Sequence, residues 1–511
     1  MISKVTSAVC IGVEGRIINV EVDLTNGLPN TNIVGLASTT VMESRERIKS
    51  AIVNSGYKYH RGRVTINLTP ADIRKSGSNL DLPISIGVLC CEGEVSKDNL
   101  SDYGIIGQLS LNGEVLGTDG ILPIVLHLTN AGIKKIMVPA SNYVEAKLVK
   151  NAVIIPVRNL RESVDIINNI SEPIFDSINM QDVEQIKISN PEGIDFSDIK
   201  GQEHAKRAIT IAVTGRHGLL MIGSPGCGKT MLAKRIPTIM PPMTNQELIE
   251  TANIYSVAGK NNKDGMIHID RPFRSPHCSI GKAGLLGGGN YPVPGEISLS
   301  HNGVLFLDEI CEFDREKIES LRLPMEEKSI THFRNGCAYT YPCNFQTVMA
   351  SNPCPCGYYG DENTMCRCSK AQLEIYRKKL SGPMMDRIDL RIQMEKVDYE
   401  HISSDYNGLS SKDMKYSVER GLNFAKSHNR RIENGNMTDS DIEKYCSLGK
   451  SEKLLMKDAY NRLALSPRAY KKIIKVARTI ADIDESEKIK EVHLAEALSY
   501  RFLNDVNEWS L

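Results

Sequence analysis

Gly218-Leu-Leu-Met-Ile-Gly223-Ser-Pro-Gly-Cys-Gly-Lys-Thr230-Met-Leu-Ala-Lys-Arg235 is the stretch that decides the fold. Leu219 to Ile222 form a short apolar run, the pattern of a strand buried on both faces of a parallel sheet. Gly223, Ser224, Pro225, Gly226, Cys227, Gly228, Lys229 and Thr230 match the G-x-x-x-x-G-K-[ST] phosphate loop. From Lys229 onward the residues favour a helix as far as Pro237, which is expected to end it. Strand, glycine loop and helix N-terminus in that order are the context the motif needs. The glycines let backbone N–H groups close around a phosphate. Lys229 is expected to reach the β- and γ-phosphates, and the Thr230 hydroxyl to ligate Mg²⁺. The implied ligand is a nucleoside triphosphate with Mg²⁺.

Working outward, 511 residues are too many for one ordinary domain, and length alone suggests roughly three. No apolar run approaches the ~18 residues a membrane helix requires, so no membrane partner is expected. The first residues lack a signal peptide's apolar core. With 13 cysteines, an odd count, reduced thiols in the cytoplasm are expected rather than a disulfide framework. Lysine plus arginine balances aspartate plus glutamate at 62 each. Any nucleic acid must therefore meet a local basic surface rather than a whole-protein field.

Residues 1–168 read as a mixed α/β domain. Ile17–Val22 and Val64–Leu68 alternate apolar and polar, with helical spacing between them over Thr39–Ser55. A strand-rich block spans Gly104–Leu111, and Asn112-Gly113 signals a hairpin before Glu114-Val-Leu116. Ile121–Ala131 reads as a helix and Lys134–Val138 as a strand. Three segments, Ile33-Val-Gly-Leu36, Glu43-Ser-Arg-Glu-Arg-Ile48 and Asn67-Leu-Thr-Pro through Leu82-Pro-Ile84, resemble the N-terminal domain of the bacterial YifB/ComM proteins, the Mg-chelatase-like ATPases. That resemblance implies a fold similar to the proteolytic domain of Lon. Cleavage of that type needs a serine activated by a lysine. In Lys75-Ser-Gly-Ser-Asn79-Leu-Asp81, the segment resembling the serine loop, the nucleophile position falls near Asn79. Asp119-Gly-Ile-Leu-Pro-Ile-Val-Leu126, resembling the lysine helix, holds no lysine. Ser76 and Ser78 read as turn residues. The domain is expected to be a proteolytically inactive scaffold. Arg61, Arg63, Arg74 and Lys75 make either a basic surface or an ordinary solvated face.

Residues 169–193 read as a linker, followed by a core over 194–397. Asp195-Phe-Ser-Asp-Ile-Lys-Gly-Gln-Glu203 and a helix through about Val213 resemble the entry segment of AAA+ ATPases. Hydrolysis also needs carboxylates, and Gly303-Val-Leu-Phe-Leu-Asp308-Glu309 supplies them after an apolar strand, at the end where α/β sheets place ligands. Asp308 would hold Mg²⁺, and Glu309 would orient or deprotonate the lytic water. Gln346-Thr-Val-Met-Ala350 is a third strand, ending at Asn352, which resembles the first sensor beside the γ-phosphate; the alternative is a capping residue before Pro353. In Leu380-Ser-Gly-Pro-Met-Met-Asp-Arg387-Ile-Asp-Leu390, resemblance to the Mg-chelatase ATPase subunit makes Arg387 an arginine finger for the neighbouring subunit's nucleotide. A surface ion pair with Asp386 or Asp389 is the alternative.

Arg271-Pro-Phe-Arg-Ser-Pro-His-Cys278, Gly284-Leu-Leu-Gly-Gly-Gly-Asn290 and Pro294-Gly-Glu-Ile-Ser-Leu-Ser-His-Asn302 are similar to the family's insert, which interrupts the second helix. Asn335-Gly336 between alternating runs predicts a β-hairpin. In this branch of AAA+ proteins such a hairpin enters a ring's pore, a role for Arg334 if its tip is more than an exposed turn. Cys354, Cys356, Cys366 and Cys368 lie within fifteen residues. They suit structural Zn²⁺, although the C-x-C spacing also allows free thiols or a redox switch. Residues 398–511 read as a helical lid, with starts at Ser410 and Thr438, a helix over Lys453–Ala464 and a last one over Val492–Phe502. In Leu465-Ser-Pro-Arg468, Arg468 resembles the second sensor, touching the γ-phosphate. The fold class is thus α/β: an AAA+ phosphate-loop core with a helical lid, preceded by a Lon-protease-like domain. The resemblance implies an ATP hydrolase forming a ring, a hexamer, that works on single-stranded or branched DNA. Competing readings are a chelatase subunit in a porphyrin pathway and a protein-remodelling ATPase.

Overall fold

The computed structural model describes residues 2–36, 39–73, 75, 78–173, 193–260, 270–361, 364–396 and 408–501. The N-terminal part is a seven-stranded mixed sheet. Its spatial order is Asn30–Val34, Arg63–Thr69, Glu14–Thr25, Ile2–Ile11, Tyr103–Ile105, Lys135–Pro139 and Val153–Val157. The two long strands pair antiparallel from Ile2↔Asp23 to Ile11↔Glu14. The apolar half of each alternation (Val5, Ile18, Val20, Val22, Val64, Ile66, Leu68) is fully buried. Helices Thr39–Asn54 and Asp81–Cys91 cover it, sharing one apolar cluster with the strands. Asn112-Gly113 makes its hairpin, with Gln108–Leu109 antiparallel to Val115–Leu116.

The ATPase core is a five-stranded, wholly parallel sheet ordered Phe273–Arg274, Val304–Leu307, Gln346–Ser351, Leu219–Gly223, Leu390–Met394. The phosphate-loop strand lies second from one edge, its five residues all buried. Helix Lys229–Ile239 does not stop at Pro237 but carries it in its last turn. Proline forfeits one N–H there, and burial of Ile236 and Ile239 offsets the loss. Helix Asn245–Val257 and the elements from Phe273 to Leu299 form the insert between the two nucleotide motifs.

Lid helices Ser411–Ser427, Asp439–Tyr445 and Pro467–Ile483 begin where capping chemistry predicts, whereas Lys450–Arg462 starts three residues before the expected Lys453 and Glu491–Ser499 one before Val492. Ser410 with Asp413 and Thr438 with Asp441 form capping boxes, and Ser466 caps the helix opened by Pro467. Phe502 lies outside the described residues, so the expected end of the last helix does too. Ile473, Ala477 and Ile480 of the lid share one apolar cluster with Ile209 and Ala212 of the core. Asp482 ties the lid together, accepting from Arg430, Asn434 and Arg478 in a buried network.

The N-terminal domain docks on the insert through the segment that resembles Lon's lysine helix. Gly120 N–H donates to the Ser256 carbonyl (3.0 Å), and Leu122 N–H to the Ser256 hydroxyl (3.3 Å). Ala252 completes the apolar cluster around Ile121 and Val125. The turn at Gly12, with φ +63°, lies so close to Thr340 that a Cβ would meet its carbonyl oxygen at 2.9 Å. Among the described residues, no helix is long and apolar enough to cross a membrane.

Candidate active site

At the carboxyl ends of the parallel strands the chain converges on the phosphate loop. Gly226 and Gly228 take φ of +84° and +94°, open to solvent with no side chain facing them, so the loop's shape rather than crowding demands glycine. A Cβ at Gly223 would instead meet the Met394 carbonyl at 2.6 Å. Lys229 Nζ donates to the carbonyls of Gly223 and Ser224 (2.5 and 3.0 Å) and to Asn352 Oδ1 (3.1 Å). Asn352 therefore points at the loop lysine rather than capping Pro353. Cys227 is buried with its sulfur 3.7 Å from Lys229 Nζ, a small core side chain.

Thr230 Oγ1 donates to Asp308 Oδ2 at 2.7 Å. A hydroxyl and a carboxylate meeting at the start of the helix offer two hard oxygens, the donor set that suits Mg²⁺ shared with phosphates. Glu309 is exposed and has φ +49°, a left-handed backbone conformation unusual for a non-glycine residue. Its N–H donates to Asp308 Oδ1 (3.0 Å). The turn presents Glu309 to solvent beside the loop, where a lytic water would stand.

Arg387 and Arg468 are not in this site. They lie together at the opposite, amino ends of the strands, about 15 Å of sheet away from their own phosphate loop. There they line a cleft of about 510 Å³ with Gly218, Lys328, Phe345 and Lys471. Both guanidiniums pair with Glu326, Arg387 Nη2 at 2.8 Å and Arg468 more closely. Asp386 and Asp389 are not Arg387's carboxylate partner. Asp389 instead binds Lys472 Nζ (2.6 Å) and Gly218 N–H (2.8 Å). Burial would raise the Asp389 pKa, but Lys472 and His217 hold it far below its ordinary value. Burial in turn lowers Lys472 to about 8. Glu326 was not legible in the sequence, since one acid among Glu326, Glu327 and Lys328 carries no motif.

The four cysteines meet directly behind Asn352. Their sulfurs lie within 4.8 Å of one another, with 3.3 Å from Cys354 to Cys356, 3.7 Å to Cys366, and 3.5 Å from Cys356 to Cys366. Four thiolates around Zn²⁺ at ~2.3 Å stand roughly 3.8 Å apart, so the cluster needs little movement to fit that ion. Gly357 closes the knuckle against Pro225 of the phosphate loop, where a Cβ would meet the ring at 2.7 Å.

The hairpin forms as expected, Ser329–Arg334 antiparallel to Cys337–Pro342, with positive φ at both Asn335 and Gly336. Phe333 is 73% exposed beside Arg334 at its tip. In the N-terminal domain, Asn79 is buried and its side-chain amide donates to the Ala8 carbonyl. Lys75 is no part of a basic surface: it is fully buried, with Nζ donating to the Pro70 carbonyl. Arg61 and Arg63 are exposed, while Arg74 and Ser76 lie outside the described residues.

Three family models match, described as magnesium chelatase, subunit ChlI (residues 195–402), subunit ChlI of Mg-chelatase (20–142) and the ChlI C-terminal region (408–501). Competence protein ComM of Haemophilus influenzae is 38% identical over 499 residues, 97% of both chains. The chain belongs to the YifB/ComM family of magnesium-chelatase-like AAA+ ATPases. YifB/ComM membership extends to YifB of Salmonella typhimurium, 38% identical over 97% of this chain and 96% of that one. Lon protease 2 of Bacillus subtilis is 27% identical over 143 residues, 26% of each chain, which bears out the Lon-like N-terminal region. The family is one of ATPases that assemble into oligomers.

Proposed function

We propose that this chain is one subunit of a closed ring, a hexamer, whose ATP hydrolysis drives the remodelling of DNA by branch migration or helicase-like translocation. The observation that carries the ring is the separation of the site's two halves. Lys229, Thr230, Asp308, Glu309 and Asn352 stand at one end of the sheet, and Arg387 and Arg468 at the other. Neither arginine serves its own phosphate loop in this arrangement, whereas a head-to-tail neighbour would bring both to it. Lys229 binds the terminal phosphates, Thr230 and Asp308 hold Mg²⁺, Glu309 takes the water's proton and Asn352 orients it. Bound Mg²⁺ neutralises phosphate charge. The neighbour's Arg387 and Arg468 stabilise charge developing on the γ-phosphate. The four cysteines hold structural Zn²⁺ that stiffens the chain between Asn352 and the lid.

DNA as the client is supported by the near full-length likeness to a competence protein and by the hairpin tip. Exposed Phe333 and Arg334 offer stacking and phosphate contact in a sequence-tolerant pattern. The N-terminal domain serves as a proteolytically inactive scaffold: Asn79 stands where the serine is expected and is hydrogen-bonded into the sheet. A second reading, a chelatase subunit, draws on the descriptions of the family models. ATP turnover with and without single-stranded and branched DNA, at two salt concentrations, tests the choice. Stimulation that fades with salt supports the DNA motor. Turnover indifferent to every DNA favours a porphyrin-pathway or protein client.

A further inference from the structure

Glu326 lines the arginine cleft without a role in the nucleotide chemistry described so far, yet it is the carboxylate that both arginines hold. It is the penultimate residue of the short helix Arg322–Glu327 and stands three residues before Ser329, where the first strand of the hairpin begins. Arg387 is almost wholly buried along its side chain, with its Nε lacking a partner, and Nη2 meets Glu326 at 2.8 Å. Arg468 approaches the same oxygen from the lid, across 142 residues of sequence. Side chains of Glu326 and Arg468 are 41% and 46% exposed, so an anion from outside the chain can reach the pair. A carboxylate between two guanidiniums copies, in charge and geometry, a phosphoryl oxygen between the same two groups.

We propose that Glu326 is a positioning residue that competes with the terminal phosphate of the neighbouring subunit's nucleotide for Arg387 and Arg468. This rests on the reading that those arginines act across the subunit boundary. With no nucleotide facing the cleft, Glu326 holds both guanidiniums side by side in it. An arriving γ-phosphate, carrying more charge than one carboxylate, takes them over. Glu326 is then released together with the helix that leads into the hairpin. Exchange of one anion for another thus links nucleotide at the boundary to the element proposed to touch DNA, with only ion pairs exchanged and no covalent bond changed.

The test compares Glu326→Gln, Glu326→Asp and Arg387→Ala in steady-state ATP hydrolysis by the full-length protein, with thermal melting as a control. Glu326→Gln keeps the shape and removes the competing charge. KM for ATP should fall about three- to tenfold, the range expected for losing a partly exposed, doubly paired carboxylate, with kcat changed no more than about twofold. Glu326→Asp, still anionic, should return KM toward wild type. A Glu326 that served only the local fold would lower melting temperature and kcat without lowering KM, and that result overturns the proposal. If Arg387→Ala abolishes turnover while Glu326→Gln leaves KM unchanged or raises it, competition is wrong and the shared site stands. If Arg387→Ala turns over normally, the shared site fails, and the proposal with it.

Discussion

The two ends of the core sheet are built from opposite chemistry. At the carboxyl end, glycine backbone, one lysine, one hydroxyl and two carboxylates surround a loop that takes phosphate and Mg²⁺. At the amino end, Arg387, Arg468, Lys328, Lys471 and Lys475 line an open cleft, with Glu326 as the acid the two arginines share. One end is a pocket with Lys229 as its lysine and neither arginine; the other is a cluster of cations away from the phosphate loop. Because the length of the parallel strands separates these ends, no side-chain motion within one chain joins them. The proposed active unit is therefore a boundary between chains, and that asymmetry can be attacked from either side.

The largest effect belongs to the donated half. Arg387→Ala should cost about 10³–10⁵ in turnover, about 4–7 kcal/mol of barrier, while leaving equilibrium ATP binding within a few-fold. Glu309→Gln at the receiving end should slow hydrolysis by ~10² or more, with ATP still bound in a labelled-nucleotide assay. Retained turnover in that variant would remove Glu309 from the water-activating role. Structural loss follows in size. Asp389→Asn strands buried Lys472 without its anion and should cost about 3–5 kcal/mol in chemical denaturation.

The same pair sets an acid limit. Asp389 titrates below its ordinary value near 3.8 in the fold. The unfolded chain therefore takes up its proton first as pH drops. Stability from this group is complete above about pH 4 and is lost as pH falls below it, an effect that Asp389→Asn should remove from the stability profile. The smallest effect concerns the knuckle. Metal analysis should find about one Zn²⁺ per chain, and Cys356→Ser with Cys366→Ser should release it and raise KM for ATP only modestly, through Asn352 and Pro225.

Much of this was legible in the chain because local chemistry decides it. Gly226 and Gly228 announce a backbone that needs positive φ; Asn335-Gly336 sets its turn; Ser410 with Asp413 and Thr438 with Asp441 start helices by hydrogen bonds three residues apart. Asn352 and Asp308 were found because each follows an apolar strand, and strand ends meet in a parallel sheet. What escaped depends on tertiary packing. Glu326 reaches Arg468 over 142 residues, and nothing local marks it. Lys75 carries a charge that reads as surface, yet the fold buries it against Pro70. Pro237 reads as a terminator, but tertiary burial of Ile236 and Ile239 carries the helix past it. Arg468 follows the expected motif order, but only the packing of Pro467–Ile483 on the core decides which end of the sheet it occupies.

The central claim, a site completed by two copies, is tested most directly by mixing two dead variants. Lys229→Ala keeps its arginines but cannot bind ATP; Arg387→Ala binds ATP but donates no finger. Each alone should be inactive. An equal mixture, dissociated and reassembled, should regain turnover at about a quarter of its boundaries, those that pair an intact loop with an intact arginine. A mixture as silent as its components, while still assembling, would contradict the account and return Arg387 to its own chain's chemistry.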